Sequence, residues 1–201
     1  GVLSAQQALS GMSLSERRAD PAMALAQRFG VEFGLRDPRR ELVEVRRDKL
    51  RDGRLKVRYQ QSYQGIPVMG GELIVRTNEQ GDLYSINGEV GRGLSVPTEP
   101  VIQPEQAQRS ALQTVAKWYQ KTSDDLNVSP AELWVFDPSL LMPGSRPAEL
   151  VWRMEVTSLN QKVPIRELVL VNAIRGNISL HFNQIDTAWV ASSSVKLDLA
   201  E

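Results

Sequence analysis

Arg58-Tyr59-Gln60-Gln61-Ser62-Tyr63-Gln64-Gly65-Ile66-Pro67-Val68-Met69-Gly70-Gly71-Glu72-Leu73-Ile74-Val75 is the stretch on which the fold turns. It reads as strand, tight bend, strand. Gly65 and the Gly70-Gly71 pair admit backbone conformations closed to other residues, and Pro67 fixes one dihedral between them. Gln60, Gln61 and Gln64 carry amides able to hydrogen-bond the backbone that such a bend exposes. The expectation is a bend over Gly65–Gly71 and a strand over Glu72–Arg76.

Upstream, Leu55 to Gln61 alternates with period two, and so does Glu41 to Arg46, as half-buried strands do. Asp52-Gly53 between them is a type I′ turn signal, so residues 41–61 read as a hairpin. Further upstream, Asp20-Pro21 reads as an N-cap with proline at the first helical position. Met23, Leu25, Ala26 and Phe29 follow at helical spacing, and Gly30 or Gly34 can close that helix. Residues 1–19 give a weak helical signal. Downstream, Asn78 to Asp82 turns the chain into a fourth strand, Leu83 to Gly88.

Gly91, Gly93, Pro97, Pro100 and Pro104 mark a boundary. Beyond it the pattern restarts. Pro104 opens a helix carrying Ala107, Ala111, Leu112, Val115, Trp118 and Tyr119 on one stripe. Strands are expected near 131–136, 150–156, 167–171 and 178–182. The architecture is therefore α+β: two small units, each a helix packed on an antiparallel sheet. The expected divisions are 1–98, 99–188 and a linker tail, 189–201.

Lys plus Arg equals Asp plus Glu at 24 each, which gives no basic excess for nucleic acid. No apolar run reaches the roughly 18 residues of a membrane span. The chain opens Gly1-Val2-Leu3-Ser4 and so reads as a trimmed product or a fragment. Cysteine is absent, which excludes disulfides and thiolate metal sites.

The chain has one histidine, His181, so the H-E-x-x-H site of a zinc hydrolase cannot be built from it. The expectation for His181 is a strand residue with a structural role. Gly88 to Gly93 holds closely spaced glycines, but they run into Pro97 and Pro100 rather than into the helix a phosphate loop needs. Asp124-Asp125-Leu126-Asn127 lacks the glycine and closing glutamate of a calcium loop and reads as a turn. No catalytic and no metal-ligating residue is expected in this chain.

The central stretch resembles the fungalysin/thermolysin propeptide motif: Tyr59, Gln60, Gln61, Tyr63, Gln64, Gly65, Pro67 and Val68, then Gly70, Gly71 and Glu72, closing on Asn87 and Gly88. Lys56 stands where many members carry histidine. The second half, through its Pro104 helix and the strands around Trp152 and His181, resembles a PepSY-type, cystatin-like module. The resemblance implies the N-terminal prodomain of a secreted thermolysin-like zinc metalloprotease, acting as intramolecular chaperone and inhibitor of its zymogen until cleaved. It implies a cognate protease domain in cis as partner, with neither nucleic acid nor membrane. It implies no cofactor in this chain; zinc, with calcium as a further candidate, would belong to the catalytic domain. The alternative is a stand-alone extracellular binding or protease-inhibitor module without an active protease domain.

Beyond residue 188, Val190, Val195, Leu197 and Leu199 punctuate a small polar run. An extended strand with such anchors could lie in a substrate cleft and block it.

Overall fold

The computed structural model describes residues 20–141, 146–159 and 164–185. The helical signal in 1–19 and the four tail positions Val190, Val195, Leu197 and Leu199 lie outside the described residues. The fold is α+β, and the described residues divide into two compact units: those within 1–98 and 134–150, and those within 99–133 and 151–201.

The first unit opens with helix α1 (Pro21–Phe33). Asp20 caps it, its side chain accepting from the Met23 N–H at 3.2 Å, with Pro21 at the first position. Gly34 ends it with a φ of 116°, its N–H reaching the carbonyls of Gly30 and Val31. A single turn, α2 (Pro38–Glu41), leads into an antiparallel meander of β1 (Leu42–Lys49), β2 (Leu55–Tyr63), β3 (Ile66–Thr77) and β4 (Leu83–Glu89). Period-two alternation puts Val57, Tyr59, Leu73 and Val75 on one face, where they pack with Ala22, Leu25, Ala26 and Phe29 of α1.

Two turns differ from expectation. Asp52-Gly53 does not form a two-residue type I′ turn. The Gly53 N–H bonds the Leu50 carbonyl, the Leu50 N–H bonds the Arg54 carbonyl, and only Gly53 has positive φ, 79°. This is a three-residue loop closed by a left-handed glycine, and Asn78–Asp82 repeats it with Gly81. The type I′ turn lies instead at Gln64-Gly65, with φ of 49° and 86°, between the paired Tyr63 and Ile66. The expected bend over Gly65–Gly71 is therefore a turn at its first residue only, and β3 runs on from Ile66.

In the second unit, helix α3 (Pro104–Trp118) buries Ala107, Ala111 and Val115 completely. Small side chains on that stripe let the helix lie close on the sheet of β5 (Leu126–Val128), β7 (Glu149–Ser158), β8 (Arg166–Asn172) and β9 (Ile178–Asn183). These pair antiparallel in the order β5-β7-β8-β9, with Val169, Leu170 and Val171 wholly buried. The Trp152 indole N–H donates to the Ile102 carbonyl at 2.7 Å.

The expected second unit, 99–188, needs correction. Residues 134–150 belong to the first unit, because β6 (Glu132–Phe136) pairs there in parallel with β3, Val135 opposite Val68 and Phe136 opposite Met69. β7 accordingly starts in the first unit at Glu149-Leu150 and continues in the second.

Candidate functional site

The centre of the first unit is an irregularity in the β2–β3 ladder. Gln60 pairs with Glu72 and Ser62 with Pro67, so Gln61 alone faces the four residues Val68 to Gly71. Four residues opposite one leave ladder groups without strand partners, and these groups need others. Gln60 supplies them: its amide donates to the Val68 carbonyl at 2.6 Å and the Gly71 carbonyl at 2.7 Å, with a longer contact to the Gln61 carbonyl at 3.2 Å. Gly70 takes a φ of 76° within the bulge.

Gln61 points the other way and is 1% exposed. Its amide behaves like a strand neighbour toward Gly91. Nε2 donates to the Gly91 carbonyl at 2.9 Å, and Oε1 accepts from the Gly91 N–H at 2.7 Å. Gly71 is glycine because a Cβ there would sit 2.6 Å from Gln61 Oε1 and 2.9 Å from its Cβ. Two adjacent glutamines thus hold two different backbones: one fastens the bulge, the other the chain leaving β4.

The remaining motif positions surround this clamp. Tyr59 is wholly buried under α1, and burial, reinforced by Asp20, pushes its phenol well above the usual range. Glu72 pairs with Arg58 at 3.0 Å. Gly88 lies opposite Leu73, while Asn87 is exposed opposite Ile74. Gln64 and Gly65 form the exposed turn tip. The clamp's far partner, Gly91, and the neighbours from 134–150 were not visible in the motif. Leu140 lies 3.7 Å from where a Gly70 Cβ would be, and the buried Asp137 caps its own turn by accepting from the Ser139 N–H at 2.9 Å. None of these groups forms a nucleophile–base pair; the arrangement fixes backbone.

Residues 40–90 match the family model described as the fungalysin/thermolysin propeptide motif. The motif's span begins just before β1 and ends after β4, so it is the meander together with its glutamine clamp. Three relatives named thermolysin, from Alicyclobacillus acidocaldarius subsp. acidocaldarius, Bacillus caldolyticus and Bacillus sp. (strain EA1), are each 29% identical over 154 residues. That alignment covers 75% of this chain but 26% of each relative, so the chain spans about a quarter of their length. Among solved structures, the Bacillus megaterium YpeB C-terminal domain aligns over 92% of this chain and 67% of its own, at 12% identity and a TM-score of 0.40.

The second unit gathers a polar cluster that the motif does not include. Glu167 is 3% exposed and accepts from the Tyr119 hydroxyl at 2.6 Å, with His181 Nδ1 at 3.3 Å from its other oxygen. Asn183 donates to the Tyr119 oxygen at 3.1 Å, and Trp118 stacks on His181 with ring centres 3.9 Å apart. His181 is a strand residue, as expected, and its neighbours are a carboxylate and an indole. Among the described residues no group of three His, Asp or Glu is placed to hold a metal.

Tyr119→Phe is expected to cost about 1–3 kcal/mol, because a buried carboxylate loses its shortest donor. A pH effect accompanies this. Burial first, then the bond to Glu167, pushes Tyr119 up to about 12, from an ordinary value of 10.0. Above pH 10 the unfolded chain has released a proton that the folded chain still holds, so stability falls as pH rises through 12. Thermal midpoints taken between pH 9 and 12 should decline in the parent chain and decline less in Tyr119→Phe. Parallel curves would remove Tyr119 from the account.

Proposed function

We propose that this chain is the propeptide of a secreted thermolysin-like zinc metalloprotease, assisting the folding of the catalytic domain and inhibiting it in cis until cleaved. The observation that carries the proposal is the motif match over residues 40–90, which folds as a meander clamped by its two adjacent glutamines. Relatives named thermolysin, of which this chain matches about a quarter, support a larger parent with its chemistry elsewhere. Zinc, with calcium as a further candidate, belongs in this reading to that other part. The second unit, a helix on an antiparallel sheet, serves as the PepSY-type module.

The tail from 189, with Val190, Val195, Leu197 and Leu199, is part of the same proposal: it links to the protease and lies in its cleft. Tethering raises effective concentration to the millimolar range for a short flexible link, so weak cleft affinity suffices. The test adds the 201-residue chain in trans to the mature protease encoded by the same polypeptide, during refolding and after it. Faster recovery of folded protease and reversible loss of peptide hydrolysis are expected. A chain ending at Ala188 should inhibit at least about tenfold less well, a loss of roughly 1.4 kcal/mol. Equal inhibition would make the tail a spacer, and no effect of either chain would overturn the propeptide reading.

A further inference from the structure

The face of the first unit's sheet opposite α1 carries an arrangement that an isolated domain does not favour. Strand register sets Arg46 opposite Arg58, and Lys56 opposite Arg76. One row on, Glu72 stands opposite Glu89. Like charges directly opposite on one sheet face destabilise it, yet here they recur in three successive rows. Compensation is partial. Asp48 pairs with Arg46 at 2.9 Å and Glu72 with Arg58 at 3.0 Å, while among the described residues Arg76 reaches only the Ser85 hydroxyl at 3.5 Å. Lys56, opposite both Asp48 and Arg76, has no ion-pair partner among the described residues. The Arg58 Nε is buried without a hydrogen-bond partner among them. Ile74, half-buried, stands opposite Arg58 and extends the Arg46–Arg58 row.

We infer that this face is a docking surface, and that its occupant is an acidic patch of the folded protease domain, laid over the rows of Arg46, Arg58, Lys56 and Arg76. The inference rests on the propeptide reading for the occupant's identity and on charge complementarity for its chemistry. Lys56 and Arg76, opposite each other and without an ion pair among the described residues, gain most from an incoming carboxylate surface, because the partner removes their mutual repulsion as well. The alternation that buries Tyr59 and Val75 under α1 presents the cations together, so the meander that carries the motif also displays them.

The test compares the full chain with R46Q/K56Q/R76Q, which spares the Arg58–Glu72 pair, and with R36Q/R40Q/R51Q, which removes the same charge elsewhere in the unit. Two probes are used: fluorescent poly-L-glutamate, and the mature protease of the same polypeptide. The face variant should bind both at least about tenfold more weakly, with a shallower salt dependence, and its thermal midpoint should be unchanged or higher. The control variant should bind both as the parent does. Equal weakening in the two variants makes the effect one of net charge and overturns the inference, as does a lowered midpoint in the face variant alone. Self-association of the parent chain that the face variant abolishes, seen by sedimentation, would assign the face to a second copy and also overturn it. If the parent chain binds poly-glutamate through this face but never touches the protease, the propeptide reading fails while the surface stands.

Discussion

Gly88→Ala is expected to cost the first unit about 3 kcal/mol or more, a large share of the roughly 5–15 kcal/mol that holds an ordinary domain folded. A Cβ at Gly88 would lie 2.0 Å from the Glu72 carbonyl oxygen and 2.9 Å from the Glu72 carbonyl carbon and the Leu73 Cα. All three are backbone atoms of the neighbouring strand, so no rotamer change relieves the clash. Relief needs β3 and β4 to part, which breaks the ladder where Leu73 faces Gly88 and Glu72 faces Glu89. The φ of 148° at Gly88 adds strain for any residue with a side chain. Asn87→Ala, one residue earlier and exposed, should stay within about 0.5 kcal/mol. Denaturant unfolding followed by circular dichroism decides between them. A Gly88→Ala midpoint equal to that of the parent would show that β3 and β4 do not pair in this register.

How much of this was legible depends on how local the deciding physics is. The start of α1 could be placed to the residue because its cap and its N-terminal proline act within a few residues of themselves, whereas Gly30 and Gly34 both stood as candidates for its end and the structure closes it at Gly34. The first unit's sheet followed from alternation, which survives in sequence wherever one face is buried. Turn geometry did not follow. Asp52-Gly53 suits both a two-residue and a three-residue hairpin loop, and the choice falls to the pairing of Lys49 with Leu55, a register the dipeptide cannot encode. β6 was read as a strand of the second unit because it follows α3 in the chain. Its attachment to β3 rests on two pairs, Val68 with Val135 and Met69 with Phe136, about 67 residues apart, with no periodic signature. The cation rows were hidden for the same reason. Along the chain, Arg46, Arg47 and Lys49 alternate with carboxylates and look neutralised; register brings like charges together across strands.

Gln61→Leu is the second large effect, and it separates two meanings of the propeptide motif. A conventional reading gives Gln61 a modest role as one polar residue among several. Its surroundings say otherwise, since Gly91 is buried and both its N–H and its carbonyl bond to the Gln61 amide. Leucine fills similar space but leaves a donor and an acceptor orphaned, at about 1–3 kcal/mol each, so the expected loss is about 3–4 kcal/mol. Gln60→Ala removes donors to Val68 and Gly71 at a half-buried position where water can substitute, and should cost about 1–2 kcal/mol. Gln61→Glu adds a pH signature that packing alone cannot give. An ionised carboxylate still accepts from the Gly91 N–H but turns a lone pair toward the Gly91 carbonyl, whereas the protonated acid can donate to it. The folded-state pKa of the new carboxyl is therefore raised above its unfolded value of about 4.3. Stability relative to the parent is best below that unfolded value and is lost as pH rises through the folded one. Unfolding curves at pH 4 and pH 8 should show the deficit of Gln61→Glu growing with pH while that of Gln61→Leu stays constant. A deficit that is flat for both would mean that Gln61 serves as volume and that the bond pair to Gly91 adds nothing. If the deficit grows as expected, the second glutamine of the motif is a side chain standing in for a missing strand, and that role explains why an amide occupies a site with almost no access to water.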